Sequence, residues 1–372
     1  MIEVLSLLIV SQLLIFSVFL LSPRKSREIS HVILAFFFLS LAVNLLHGYM
    51  TRLIFYNRNL SNLLLVGAPS AFLYAPLMFF YIRSLTNKPF KIRKADFVHS
   101  LPFLFFTAYL FFTFYFKPIE WKRDFVFSQK SFTFWFISTV LLNLQVASYI
   151  VAVLFMLHRY RKKIKTVFSS TEKINYSWLK FLIYGLLLLW LGDIVRVLIF
   201  GISPNLSYAV TIIFYLGFLL MSDLILYKAL TQPVIFSNME EFPQQKKKSL
   251  SDEVNEQYLQ KLLSYMESEK PYLDSSLTIY KLAEKISIPP RSLSDVINNS
   301  LNKNFYDFVN SYRIKEAERL LAENNGPSKT ILEILYEVGF NSKSSFNQAF
   351  KKHTGITPSY FKRRRGLSKT VN

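Results

Sequence analysis

The chain has 372 residues, of which 52% are hydrophobic and 17% aromatic, with a mean hydropathy of +0.27 and a formal net charge of +20. That length holds two or three domains, and the composition excludes an ordinary soluble protein. Cysteine is absent, which excludes disulfides, thiolate catalysis and Cys-ligated zinc.

Residues 4–21 form an uncharged apolar run, close to the ~20 residues that span a bilayer. A cleaved signal peptide has its basic residues before the apolar run, whereas here Arg24, Lys25 and Arg27 follow it. The run therefore reads as a retained first span. Six more apolar runs lie at about 31–49, 63–83, 97–116, 133–157, 178–200 and 207–229, which makes seven. The connections 22–30, 83–96 and 158–180 carry 3, 5 and 7 Lys and Arg, against 2, 4 and 0 for 50–62, 117–132 and 201–206. By the positive-inside rule this predicts a multi-pass protein of a bacterial inner membrane, with its N-terminus outside and residue 230 onward in the cytoplasm.

Several polar residues interrupt these runs: Asn44, His47, Asn143, Gln145, Asp193, Arg196 and Asp223. Ionisable groups are costly in hydrocarbon, so they are expected to face inward and find partners. Asp193 and Arg196, three apart, can pair on one helix face. On the predicted topology Asn44, His47, Asp193 and Arg196 share the outer half, as a pocket for an extracellular signal ligand or as a structural clasp between helices. Pro76 is expected to kink the third span, and His99 reads as a helix-packing residue near the start of the fourth.

Residues 230–253 contain Pro233, Pro243 and the run Lys246 to Lys248, and read as a cytoplasmic linker whose lysines meet lipid or solvent. Tyr258, Leu259, Leu262, Leu263 and Met266 then mark a helix. Two stretches with one shared grammar follow, 277–299 and 331–350. In the second, Ile331, Ile334, Leu335 and Val338 recur at helical spacing and Gly339 permits a sharp turn. Asn341 and Ser342 can cap the next helix, and Phe346, Ala349 and Phe350 form its buried stripe. Lys343, Ser344, Asn347 and Gln348 are left facing outward, a short amide, hydroxyl and basic set suited to base edges in the major groove. Phe305, Phe308, Val309, Tyr312, Ile314, Ala317, Leu320 and Leu321 give the packing side of a long connecting helix, which the segment Asn324 to Pro327 stops.

Residues 277–365 resemble the DNA-binding domain of the AraC/XylS transcription activators, above all over Glu337 to Arg363, EVGFNSKSSFNQAFKKHTGITPSYFKR. Tyr312 to Leu321 looks like that family's linker helix. The resemblance implies a transcription regulator with two groove-reading helices per protomer, about one DNA turn apart. It implies promoter DNA and RNA polymerase as partners, and base-reading positions at Arg291, Ser294, Asp295 and Asn298 in the first copy. The second copy contributes Lys343, Ser344, Asn347 and Gln348, followed by Lys351 and Lys352. The chain departs from the family at Ser287 and Asn302, where glycine is usual, and at Asp295, an acid where many relatives carry a basic residue. Leu73 to Leu85 and Asp96 to Pro102 look like the membrane part of regulators of Bacteroidetes-type bacteria that join several spans to an AraC-type C-terminus.

The expected architecture is all-α: a seven-helix transmembrane bundle followed by a cytoplasmic AraC-type domain with two helix-turn-helix units. The expected divisions are a membrane domain 1–229, a linker 230–253, a DNA-binding domain 254–366 and a tail 367–372. The expected function is a membrane-anchored regulator that couples an extracellular or membrane signal to promoter binding, through a change of pairing in a homodimer. Two alternatives are a transporter or receptor whose C-terminal part docks a protein, and a passively tethered regulator controlled by a separate sensor. No enzyme motif is present, and the five histidines, at 31, 47, 99, 158 and 353, are scattered. No cofactor or metal is expected.

Overall fold

The computed structural model describes residues 1–22, 28–56, 58–87, 90–127, 131–170, 176–200, 203–231, 252–322 and 329–367. The expected linker, the stop at 324–327 and the tail therefore lie almost wholly outside the described residues. Within them all regular structure is helical, and strand pairing is limited to one isolated antiparallel bridge, Phe168 with Thr278. The chain divides into two compact units, Met1–Leu157 with Ser177–Ser237, and His158–Tyr176 with Asn238–Asn372.

The first unit holds α1 (Ile2–Leu20), α2 (Ile29–Tyr56), α3 (Ala71–Thr86), α4 (Leu101–Leu110), α5 (Ile119–Phe127), most of α6 (Phe132–Val167), α7 (Tyr176–Phe200) and α8 (Pro204–Thr231). Seven helical segments among the described residues are long and apolar enough to cross a membrane, and each overlaps one of the seven apolar runs. A helix satisfies its own backbone groups, so a chain of this hydropathy needs no partner strand. The outer faces are apolar: Phe105 is 70% exposed, Phe112 77% and Leu188 71%. Several small polar residues are buried, among them Ser6, Ser40 and Ser84, and Ser17 Oγ donates to the Ala35 carbonyl at 3.0 Å where α1 meets α2. Pro76 lies buried inside α3, and His99 packs against the rings of Phe79, Phe80 and Tyr149.

The second unit holds α9 (Asp252–Ser268), α10 (Ile279–Lys285), α11 (Pro290–Asn299), α12 (Phe305–Ala322), α13 (Ile331–Glu337), α14 (Lys343–Thr354) and α15 (Pro358–Leu367). Two cores form along α12. Phe305, Phe308 and Val309 close the first, with Leu262, Met266, Leu282, Leu293 and Ile297. Ile314, Ala317 and Leu321 close the second, with Ile334, Leu335, Val338, Phe346 and Phe350. One helix thus carries two apolar faces in series, and each buried Leu, Ile or Phe side chain contributes about 1.5–3 kcal/mol by removal from water.

A feature outside the sequence expectations is the place of residues 158–170. The end of α6 lies in the second unit, with Val167 in the first of its cores.

Candidate nucleic-acid interface

Both stretches fold as helix, turn, helix. In the first, Thr278 Oγ1 caps α10 by accepting from the Lys281 N–H at 3.2 Å. Ser287 then takes φ 51°, a left-handed conformation that normally favours glycine, before Pro290 opens α11. In the second, Thr330 and Glu333 form a reciprocal capping box at the start of α13. Those hydrogen bonds hold the Glu333 carboxyl below the ordinary glutamate range. Gly339 takes φ 90°, and a Cβ there would sit 2.7 Å from the Leu273 carbonyl oxygen. The turn therefore needs glycine twice over, for its conformation and for its contact with the loop before α10. Ser342 Oγ caps α14 by accepting from the Ser345 N–H at 3.3 Å, whereas Asn341 donates to Ser170 Oγ at 3.1 Å.

On α14 Phe346, Ala349 and Phe350 are buried, as their spacing predicts, and Lys343, Ser344 and Gln348 are exposed with Asn347 half-buried. Lys351 and Lys352 are exposed one turn on, but Lys352 Nζ donates to Asp307 Oδ1 on α12 at 2.7 Å. Burial raises the Asp307 carboxyl, and the hydrogen bond and charge of Lys352 outweigh this and hold it below the ordinary aspartate range. On α11 Leu293, Val296 and Ile297 are buried, Asp295 and Asn298 exposed, and Arg291 and Ser294 half-buried. Asn298 Nδ2 donates to Ser294 Oγ at 3.2 Å, so these two base-reading candidates engage one another. The two helices present different chemistry: α14 offers an ammonium, a hydroxyl and amides, and α11 an exposed acid beside its amide and hydroxyl.

The model of the helix-turn-helix domain matches residues 282–364. Those residues are a helix-turn-helix domain. The Msm operon regulatory protein of Streptococcus mutans serotype c is 33% identical over 89 residues, covering 24% of this chain and 31% of that protein. The arabinose operon regulatory protein of Escherichia coli K12 is 31% identical over 99 residues, 27% and 32% of the two chains. The chain thus spans about a third of the length of either regulator. Among solved structures, the C-terminal domain of AraT, a response regulator from Geobacillus stearothermophilus, is 29% identical. The match covers 29% of this chain and 84% of that one, with a TM-score of 0.26. Over this part of its length the chain is similar to these regulators.

Arg313, to which the sequence assigns no role, is the largest fully buried side chain among the described residues. Its signal lay in plain spacing, since Val309, Arg313, Ala317 and Leu321 fall four apart on the packing face of α12.

In the first unit Asp193 and Arg196 pair with one another at 2.7 Å, and the Arg196 guanidinium lies 5.8 Å from the Phe214 ring centroid. Both remain part-exposed, at 45% and 29%. His47 packs its Cβ against Gly67, and Asn44 lies half-buried one turn earlier on α2. Among the described residues no hydrogen bond or ion pair joins these two to Asp193 or Arg196. The other polar residues hold helices together: Gln12 Nε2 donates to Asp223 Oδ1 at 2.6 Å between α1 and α8, Trp190 Nε1 to Asn143 Oδ1 at 2.8 Å between α7 and α6, and Gln145 Nε2 to the Phe72 carbonyl at 3.2 Å.

Proposed function

We propose that the chain is a membrane-held transcription regulator, which binds promoter DNA through its AraC-type domain and is anchored by seven helices in a bacterial inner membrane. The observation that carries the DNA part is the solvent-facing set Lys343, Ser344 and Gln348 on a helix whose opposite face is locked by Phe346 and Phe350. Such a helix offers charge to phosphate and amide or hydroxyl groups to base edges. Support for the anchor is the outward apolar surface of the seven long helical segments among the described residues and the buried serines between them. The excess of Lys and Arg in alternate connections supports a cytoplasmic C-terminal domain, on the side of DNA and RNA polymerase.

DNA reading rests mainly on α14, with Arg291, Ser294, Asp295 and Asn298 supplying a second half-site and Lys351 a phosphate contact. Asn44, His47, Asp193 and Arg196 are our candidates for contact with the signal, with the part-exposed ion pair as the group a polar ligand displaces. In a homodimer, a change of packing among the apolar helices would alter how two DNA-binding domains share a promoter. Crosslinking the full-length protein to DNA in its host, beside a Lys343→Ala/Gln348→Ala variant, tests the core of this reading. Discrete promoter sites lost in the variant are the expected result, and wild-type protein with no enriched site under several growth conditions would refute it.

A further inference from the structure

Residues 168–170, just past the end of α6, meet both helix-turn-helix copies. Phe168 bridges to Thr278, the cap of α10. Ser169 is 1% exposed, and its N–H and hydroxyl both donate to the Leu277 carbonyl, at 3.3 and 2.7 Å. Its own carbonyl and hydroxyl oxygens accept from Arg313, each at 3.2 Å. Arg313 in turn donates to the carbonyls of Tyr272 at 2.6 Å and Asp274 at 2.8 Å, and its guanidinium lies 5.6 Å from the Phe340 ring centroid. Phe340 directly follows Gly339, the turn residue that abuts the Tyr272 and Leu273 carbonyls. One residue further, Asn341 binds Ser170 just ahead of the α14 cap.

A fully buried guanidinium tolerates little displacement of its acceptors, because an unmatched buried donor is costly. Ser169 therefore completes a rigid node that ties the entry of α10 to the entry of α14. We propose that Ser169, Ser170 and Arg313 are positioning residues that fix the separation of α11 and α14, and with it the half-site spacing accepted on DNA. The inference rests on the DNA-binding reading above. The node is also joined by covalent chain to α6, which runs without a break from Phe132 to Val167.

The test uses the full chain in detergent micelles and a duplex selected by the wild type from a randomised pool. The duplex is rebuilt with one, two or three base pairs inserted between its half-sites. The wild type should lose roughly tenfold in affinity per inserted pair, the size of one mismatched base pair. Ser169→Ala/Ser170→Ala, which keeps the backbone bonds and the Arg313 side chain, should flatten that dependence to less than about threefold while binding the original duplex nearly as well. Because the chain has no cysteine, a Ser169→Ala/Ser170→Cys/Asn341→Cys variant can form only one disulfide within the chain, and oxidation to that form, separated from any crosslinked dimer, should restore the sharp dependence. An equally sharp profile in the double-alanine variant overturns the inference, and so does a uniform loss at every spacing, which marks a merely structural role. A wild type that binds duplex without any spacing preference overturns it while leaving the DNA-binding reading intact. A wild type that binds no duplex refutes that reading itself.

Discussion

Lys352 Nζ and Asp307 Oδ1 lie 2.7 Å apart, so the second recognition helix is pinned to the N-terminal half of α12, the half that closes the first core. Lys352 is 58% exposed and Asp307 21%, so water screens much of the attraction. A double-mutant cycle with Lys352→Ala and Asp307→Ala should return a coupling of about 0.5 kcal/mol, read from chemical denaturation. Coupling above about 2 kcal/mol would mean the pair is effectively buried.

The same pair makes a pH prediction. Asp307 is held below its ordinary range, as are Asp274 and Glu316. A carboxyl with a depressed folded value stabilises the fold above its unfolded value of about 4, and that contribution disappears as pH falls through the folded value. The helix-turn-helix domain should therefore lose thermal stability as pH drops below about 4. Asp307→Asn should shallow that loss, measured by melting at stepped pH.

Ser287 and Gly339 occupy matching turns with opposite consequences for mutation. Ser287 carries a side chain in a left-handed conformation, so Ser287→Gly should raise stability by up to about 1 kcal/mol. Gly339→Ala places a Cβ against the Leu273 carbonyl as well as straining the backbone, and should destabilise by more than about 1 kcal/mol. Equal effects at the two positions in a denaturation series would contradict the difference in surroundings.

Phe346 is fully buried, with ring centroids of Phe340 and Phe350 at 5.3 and 5.6 Å. Phe346→Ala should cost about 3 kcal/mol or more and abolish DNA binding by unfolding α13 and α14. Circular dichroism would separate this from the effect of Lys343→Ala, which should leave the fold intact.

Among the candidate contacts, Lys343→Ala should weaken specific binding by about 1–3 kcal/mol if the ammonium meets a base edge. Lys352→Ala should do less, because that ammonium already serves Asp307. Lys351→Ala, at a phosphate, should lower the salt slope of binding by about one without changing sequence preference. Binding titrations over a range of salt distinguish the three.

Local rules made much of the protein legible. Seven apolar runs of about spanning length became seven long apolar helical segments among the described residues, because a backbone that pairs within the helix needs no information from elsewhere. Ile334, Leu335, Phe346 and Phe350 are buried where a helical period and one glycine turn put them. The capping of α14 was half legible, since Ser342 and Asn341 are both able caps, and in the fold Ser342 caps the helix while Asn341 donates to Ser170.

Tertiary structure alone decided the rest. Arg313 and Ser169 are separated by 144 positions, and the bonds between them run to a backbone carbonyl and a hydroxyl, groups too common in the sequence to mark a partner. The basic segment after residue 157 reads as a loop by charge and composition, yet its apolar residues Ile164 and Val167 are buried in the second unit. Periodicity tells which face of a helix is buried. It does not tell which distant segment supplies the acceptors for a charge on that face, because complementarity of that kind exists only once both partners are folded.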